Sequence, residues 1–237
     1  MTLLNYIDLY CERTAPGFLN EPVNAASNAA FLIAAWIAWR AVRSTNERNF
    51  MEMILIVLAA SIGVGSFLFH TLANGHAELL DVIPIWTFVA LYVCTVIFRL
   101  TGGNAMKTVR ISFIAICCTA TSIWMTGQDV TTIDVAGPDH LNGSLQYSPA
   151  LIALWVFAGL TVLRAHPAKK LVTASAVLFT VSLALRTVDL TTCHATGIGT
   201  HFLWHFLNGA MVLALLLALI RHIPACSGSR QNNQLEN

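Results

Sequence analysis

The chain has 237 residues, of which 56% are hydrophobic and only 11% charged, against roughly 25% charged in an average soluble domain. That balance excludes a soluble globular protein, and a formal net charge of +1 offers no basic surface for nucleic acid. Residues 1–21 carry Asp8, Glu12 and Glu21 and have neither the cationic start nor the apolar run of a cleavable signal peptide, so the first apolar segment is expected to direct insertion.

Seven apolar segments follow in order, at about 23–43, 52–70, 79–99, 110–125, 147–164, 171–189 and 201–221, each judged against the roughly 20 residues that a spanning helix needs. The fourth is the shortest, and the 126–146 loop after it is the longest. The expectation is an all-α polytopic membrane protein with seven transmembrane helices. It forms one domain over residues 1–225, followed by a polar tail over 226–237 that is expected to be mobile. Arg40, Arg43 and Arg48 flank the first connection, Arg99, Lys107 and Arg110 the third, Arg164, Lys169 and Lys170 the fifth, and Arg221 and Arg230 the C-terminal end. The second, fourth and sixth connections carry no lysine or arginine. The positive-inside rule then puts the N-terminus outside and the C-terminus inside.

Polar residues at membrane depth are costly and mark function by default. Ser66 and His70 close the second segment four residues apart, which puts them on one helix face. Asp81 opens the third segment, after a short turn at Asn74-Gly75. His201 and His205 repeat the four-residue spacing at the start of the seventh. In this topology all five lie toward the outer face. Three histidines at one depth suit a catalytic zinc, which takes three protein ligands and keeps a fourth position open.

Each piece also has a plainer reading. The histidine pair can hydrogen-bond a neighbouring helix, and Ser66 beside Gly63 and Gly65 fits close helix packing. Asp81 is the hardest to explain without a partner. His194 lies on the outer side and is the substitute ligand, His76 and His140 fall in outer loops, and His166 and His222 lie on the inner side.

Ser66-x-x-x-His70, Leu80-Asp81-Val82-Ile83-Pro84-Ile85-Trp86 and His201-x-x-x-His205 together resemble the alkaline ceramidases, members of a seven-helix metal-hydrolase superfamily that also includes the adiponectin-type receptors. Tyr10-Cys11-Glu12, Glu21-Pro22-Val23-Asn24-Ala25-Ala26-Ser27-Asn28 and Arg186-Thr187-Val188-Asp189 with Cys193 extend the resemblance over most of the chain. It implies a zinc-dependent amidase in which His70, His201 and His205 bind zinc and Ser66 and Asp81 complete the site. Ceramide would be cleaved to a fatty acid and a sphingoid base by metal-activated water. Such chemistry agrees with the residues: zinc polarises an amide carbonyl and acidifies water, Asp81 shuttles a proton, and Ser66 donates to an oxyanion. The family also carries a calcium site near its N-terminus, for which Glu12, Glu21 and Asp8 are the candidates here. The spacing of the two glutamates is short, and Thr14 stands near where the pattern has asparagine.

A retinal protein is excluded, because 201–220 holds no lysine for the Schiff base. The alternatives left open are a zinc hydrolase of another lipid, such as an ester-linked phospholipid, and a non-catalytic, receptor-like member of the superfamily. The substrate partner is a ceramide-like membrane lipid, and the short chain and brief loops favour a bacterial inner membrane with the site toward the periplasm. Cys11 and Cys193 both fall on the outer, oxidising side and are expected to form a disulfide, whereas Cys94, Cys117 and Cys118 fall in helices.

Overall fold

The computed structural model describes residues 5–45, 49–114 and 141–225. The first span, Pro22–Arg43, consists of α1 (Pro22–Ser27) and α2 (Ala29–Arg43). Pro22 stands at the first helical position, where a missing N–H costs nothing. The next two N–H groups, of Val23 and Asn24, donate to the Glu12 carboxylate at 2.7 and 2.8 Å. The break at Asn28 has a local cause: the Asn24 carbonyl accepts from the Ser27 hydroxyl (2.7 Å) and the Asn28 side-chain amide (2.9 Å). Those side chains compete with the helical ladder.

Helix α3 (Phe50–Leu72) starts on the Asn49 side chain, which accepts from the Met51 N–H at 2.9 Å, and ends at Ala73 in the left-handed conformation (φ 45°). Helix α4 (Gly75–Leu100) starts on the Asn74 side chain, which accepts from the Ala77 N–H at 3.0 Å. The connection is therefore tighter than the turn and helix start near 79 read from the sequence. Asp81 lies in the second turn of α4, not its first.

Residues 105–114 are helical and form the described part of α5. A 3₁₀ turn at Ser144–Tyr147 leads into α6 (Ser148–Leu163), followed by α7 (Lys169–Thr187), the short α8 (Cys193–Thr196) and α9 (His201–His222). Among the described residues six helices are long and apolar enough to cross a membrane. They coincide with six of the seven expected segments. The remainder of the fourth expected segment lies outside the described residues, as do most of the 126–146 loop and the 226–237 tail. Exposed side chains such as Leu79, Ile83 and Trp86 on α4 and Ile152, Trp155 and Val156 on α6 give the bundle an apolar exterior, which is what lipid contact requires.

Helix α3 packs against α4 on one side and α2 on the other, and α9 packs against α2 and α7. A Cβ at Gly63 would meet the Asn28 carbonyl of the first span at 3.0 Å. A Cβ at Gly65 would overlap the Leu80 carbonyl of α4. Pro84 explains why that carbonyl is there: it lacks the N–H that would bond Leu80 four residues back, so the carbonyl turns out of the ladder. The approach draws Ser66, beside Gly65, toward Asp81, beside Leu80. Close helix packing and a polar site are thus the same feature.

At the end of the bundle away from the histidines the core is apolar, with Val42, Leu55, Val172, Leu216 and Leu219 fully buried. There Arg99 donates to Glu52 (2.9 Å) and to the Ile223 carbonyl (2.7 Å), closing the C-terminus of α9. At the other end the N-terminal strap, residues 5–21, lies across the helix ends. Its Ile7 N–H donates to the Ala73 carbonyl at 2.9 Å, and Cys11 is disulfide-bonded to Cys193, as expected.

Replacing Gly65 with Ala is expected to push α3 off α4, costing about 1–3 kcal/mol and lowering the thermal midpoint in detergent. Gly159→Ala adds a Cβ that meets no atom within 4 Å and should leave the midpoint unchanged. Equal midpoints for the two variants would contradict this packing.

Candidate metal centre

His70 lies in the last turn of α3, and His201 and His205 lie in the first two turns of α9. The fold brings all three together: one ligand atom from each lies within 4.8 Å of the others, and each residue is at most 2% exposed. They form the only such cluster of histidine, cysteine and carboxylate groups among the described residues.

The surrounding hydrogen bonds assign the ring protons. The Ser27 hydroxyl has one proton, and the Asn24 carbonyl takes it. The 2.6 Å contact between Ser27 Oγ and His205 Nδ1 must then be donated by the ring nitrogen. That leaves His205 Nε2 as a bare lone pair. His70 Nδ1 likewise donates to the Glu21 carboxylate at 2.5 Å, which turns its Nε2 toward His205. The two Nε2 atoms face each other at 3.2 Å, so a shared proton or a metal ion must occupy the space between them. His201 adds a third ring, whose buried Nδ1 has no protein partner. Three imidazoles, two of them oriented from behind by a carboxylate and a hydroxyl, fit a metal ion with an open position.

Glu21 works harder than its sequence position suggests. One oxygen meets the Arg13 guanidinium, and the other meets His70 Nδ1 and the Asn24 side-chain amide (3.0 Å). Burial pushes this carboxyl up, but His70, Asn24 and Arg13 outweigh it and hold it below the usual carboxylate range. Arg13 also donates to the His70 carbonyl at 2.6 Å. Asp189 holds the other ligand helix: one oxygen accepts the Thr200 and His201 N–H groups at 2.7 and 2.8 Å, and the other accepts the Cys11 N–H at 3.0 Å. Tyr10 stacks on the His201 ring with centroids 3.6 Å apart.

Ser66 and Asp81 line one cavity with His201 and His205, together with Tyr10 and Arg186. Asp81 Oδ1 is buried there without a hydrogen-bond partner. A bare carboxylate oxygen beside a bound cation is suited to accept and release a proton. The structure therefore unites all five residues picked out on spacing and topology.

Asp8, Glu12 and Glu21 do not converge in the same way among the described residues. Asp8 is exposed and accepts from the Tyr6 hydroxyl at 3.4 Å, Glu12 is spent on the start of α1, and the cation that meets Glu21 is Arg13. His76 and His194 are exposed, His166 lies in the connection between α6 and α7, His222 is the last residue of α9, and His140 is outside the described residues.

Sequence reasoning missed Ser27, Asp189 and Arg13 as supports of the ligands. One signal was available: Asn24, Ser27 and Asn28 form a polar group at the mouth of an apolar span, and buried polar groups need partners. Nothing in the spacing identified which partners.

Comparison with curated protein sequences finds no significant match. Residues 9–236 match the profile of the Ceramidase family, which implies a hydrolase acting on amide bonds. The match covers nearly the whole chain, including every residue of the histidine cluster and its supports, and on that basis the protein belongs to the Ceramidase family.

Proposed function

We propose that the protein is a zinc-dependent intramembrane amidase that hydrolyses ceramide to a fatty acid and a sphingoid base. The observation that carries this reading is the unpartnered Asp81 carboxylate oxygen beside three converging imidazoles, in a cavity walled by an otherwise apolar bundle. Zinc is favoured over other divalent ions because three neutral imidazoles with an open fourth position are its usual catalytic donor set.

Bound there, zinc would supply Lewis-acid polarisation of the amide carbonyl and a lowered pKa for water. The protein's own groups do the rest. Asp81 takes a proton from the attacking water and returns it to the leaving nitrogen, which must be protonated before it departs as an amine. Ser66 donates its hydroxyl proton toward the oxygen on which negative charge develops. Serine is not read as a nucleophile, because Ser27 and Glu21 already hold two histidines as ligands and no imidazole is left to act as its base.

We further propose that the histidine end of the bundle faces outward, toward the periplasm of a bacterial inner membrane. Arg40, Arg43, Arg99 and Arg221 all lie at the opposite end. Cys226 should then resist an impermeant thiol reagent added to intact cells, and a cysteine placed at Asp139 should react. Labelling of Cys226 from outside would reverse this orientation.

Alanine at His70, His201 or His205 should remove bound metal together with ceramide turnover. Glu21→Ala and Ser27→Ala should instead weaken metal affinity by about 10–100-fold, because they only orient ligands. Asp81→Asn should keep its zinc and lose on the order of 10²–10⁴ in rate. Ser66→Ala should also keep zinc and lose on the order of 10²–10³. Metal analysis beside a panel of fluorescent ceramides and phospholipids reads all of these. Turnover of ester-linked phospholipid alone would replace the substrate class, and an Asp81→Asn variant with near-normal ceramide turnover would refute the role given to that carboxylate.

A further inference from the structure

The same cavity holds a cation that the mechanism above does not use. Arg186, near the end of α7, is only 6% exposed and lines the cavity with Asp81, Ser66, His201 and His205. One terminal nitrogen donates to the Tyr10 hydroxyl at 2.7 Å. Three rings surround the guanidinium: Tyr10 and Trp204 each at 5.3 Å from its central carbon, and Tyr147 at 5.6 Å. Its Nε is buried and has no hydrogen-bond partner. Among the described residues no carboxylate forms an ion pair with it.

That arrangement is unusual for a buried arginine. A guanidinium stays charged in any protein environment, and burying it costs several kcal/mol unless an anion meets it. Aromatic faces recover only part of that cost. Asp81 lies within its electrostatic reach without touching it. With a divalent ion on the histidines the cavity carries excess positive charge, since Asp81 offers one negative charge against the ion and Arg186 together. The cavity therefore suits an anion with oxygens able to take the free Nε–H.

Amide hydrolysis generates one such anion. A neutral amide and a water molecule enter; the carbon–nitrogen bond breaks, a carbon–oxygen bond forms, and the acid proton ends on the amine, giving a carboxylate and an ammonium. We infer that Arg186, with the Tyr10 hydroxyl beside it, is the carboxylate-binding group of the cavity and that its occupant is the long-chain fatty acid released by the reaction. The identity of that anion rests on the amidase reading; the preference for a carboxylate rests on Arg186 alone. The rings of Tyr147 and Trp204 give the first carbons of the acyl chain an apolar wall. The retained product then competes with fresh substrate, so turnover is slowed by its own fatty acid.

The test is equilibrium binding of palmitate and palmitamide to the purified full-length protein in detergent, followed by tryptophan fluorescence, with and without a chelator. These probes share a chain and differ in charge. Palmitate should bind about tenfold more tightly than palmitamide, as one charge-assisted hydrogen bond provides, and the gap should survive chelation. In Arg186→Gln the gap should fall below about twofold, and in Arg186→Lys, which keeps the charge and loses the fork, to about threefold. Retention of the Cys11–Cys193 disulfide checks that each variant has folded. A gap that vanishes on chelation would assign the carboxylate to the metal and overturn the inference, as would a full gap in either variant. N-palmitoylglycine binding more tightly than palmitate in an Arg186-dependent way would overturn it differently, by making the carboxylate part of a lipid headgroup. Ceramide turnover measured on the same sample separates the two readings: its absence would refute the amidase proposal, while the binding comparison still decides the role of Arg186.

Discussion

Glu21 places one carboxylate oxygen on the Arg13 guanidinium and the other on His70 Nδ1, and the histidine end of the molecule hangs on that joint. The pair fixes the N-terminal strap to the mouth of the first span and orients a ring of the second span. All three side chains are almost wholly buried, so each charge relies on the others for its solvation. Arg13 reinforces the joint by also taking the carbonyl of His70, which lies in the unpaired last turn of α3. On the far side of the cluster Asp189 plays a matching part, taking three backbone N–H groups from the strap and the start of α9. Two carboxylates thus hold two ligand helices in register, Glu21 through the His70 ring and Asp189 through the start of α9.

The helices could not approach so closely without a sacrifice of regularity in each. Gly65 gives up a side chain, Pro84 gives up a backbone donor, and the Leu80 carbonyl moves into the space between. The Asn24 carbonyl is diverted to side chains and breaks the first span at Asn28, which leaves Ser27 free to accept from His205. In an apolar surrounding every such departure needs a replacement partner. The replacements here are the groups that build the site.

Two buried arginines show the difference between support and function. Arg99 meets Glu52 and closes the C-terminus of α9, so its charge and donors serve the bundle. Arg186 meets a neutral phenol and three aromatic faces, keeps its Nε–H without a protein partner, and lines the reaction cavity. Membrane burial makes the contrast sharp, because a surplus cation cannot be neutralised by water.

Much of the architecture was legible in the sequence. Apolar runs near 20 residues long mark spans whatever their neighbours do, because lipid imposes the length, and six of them recur within a few residues of where they were read. The i, i+4 spacing of His201 and His205 and of Ser66 and His70 sets a common face on each helix, and the placement of Asp81 after a tight turn sets its level. The pairing of Cys11 with Cys193 followed from their shared side of the bundle. What the chain's order did not contain was the identity of partners across helices: Ser27 meets His205 over 178 positions and Glu21 meets His70 over 49. From the sequence Glu21 is a candidate metal carboxylate, and only the fold shows Arg13 and an imidazole set against it. Arg186 reads as one more charge inside a span until three rings close round it. Local pattern determines which residues face inward and at what depth; only helix crossing, decided by where glycine and proline allow backbones to touch, determines which inward-facing groups meet.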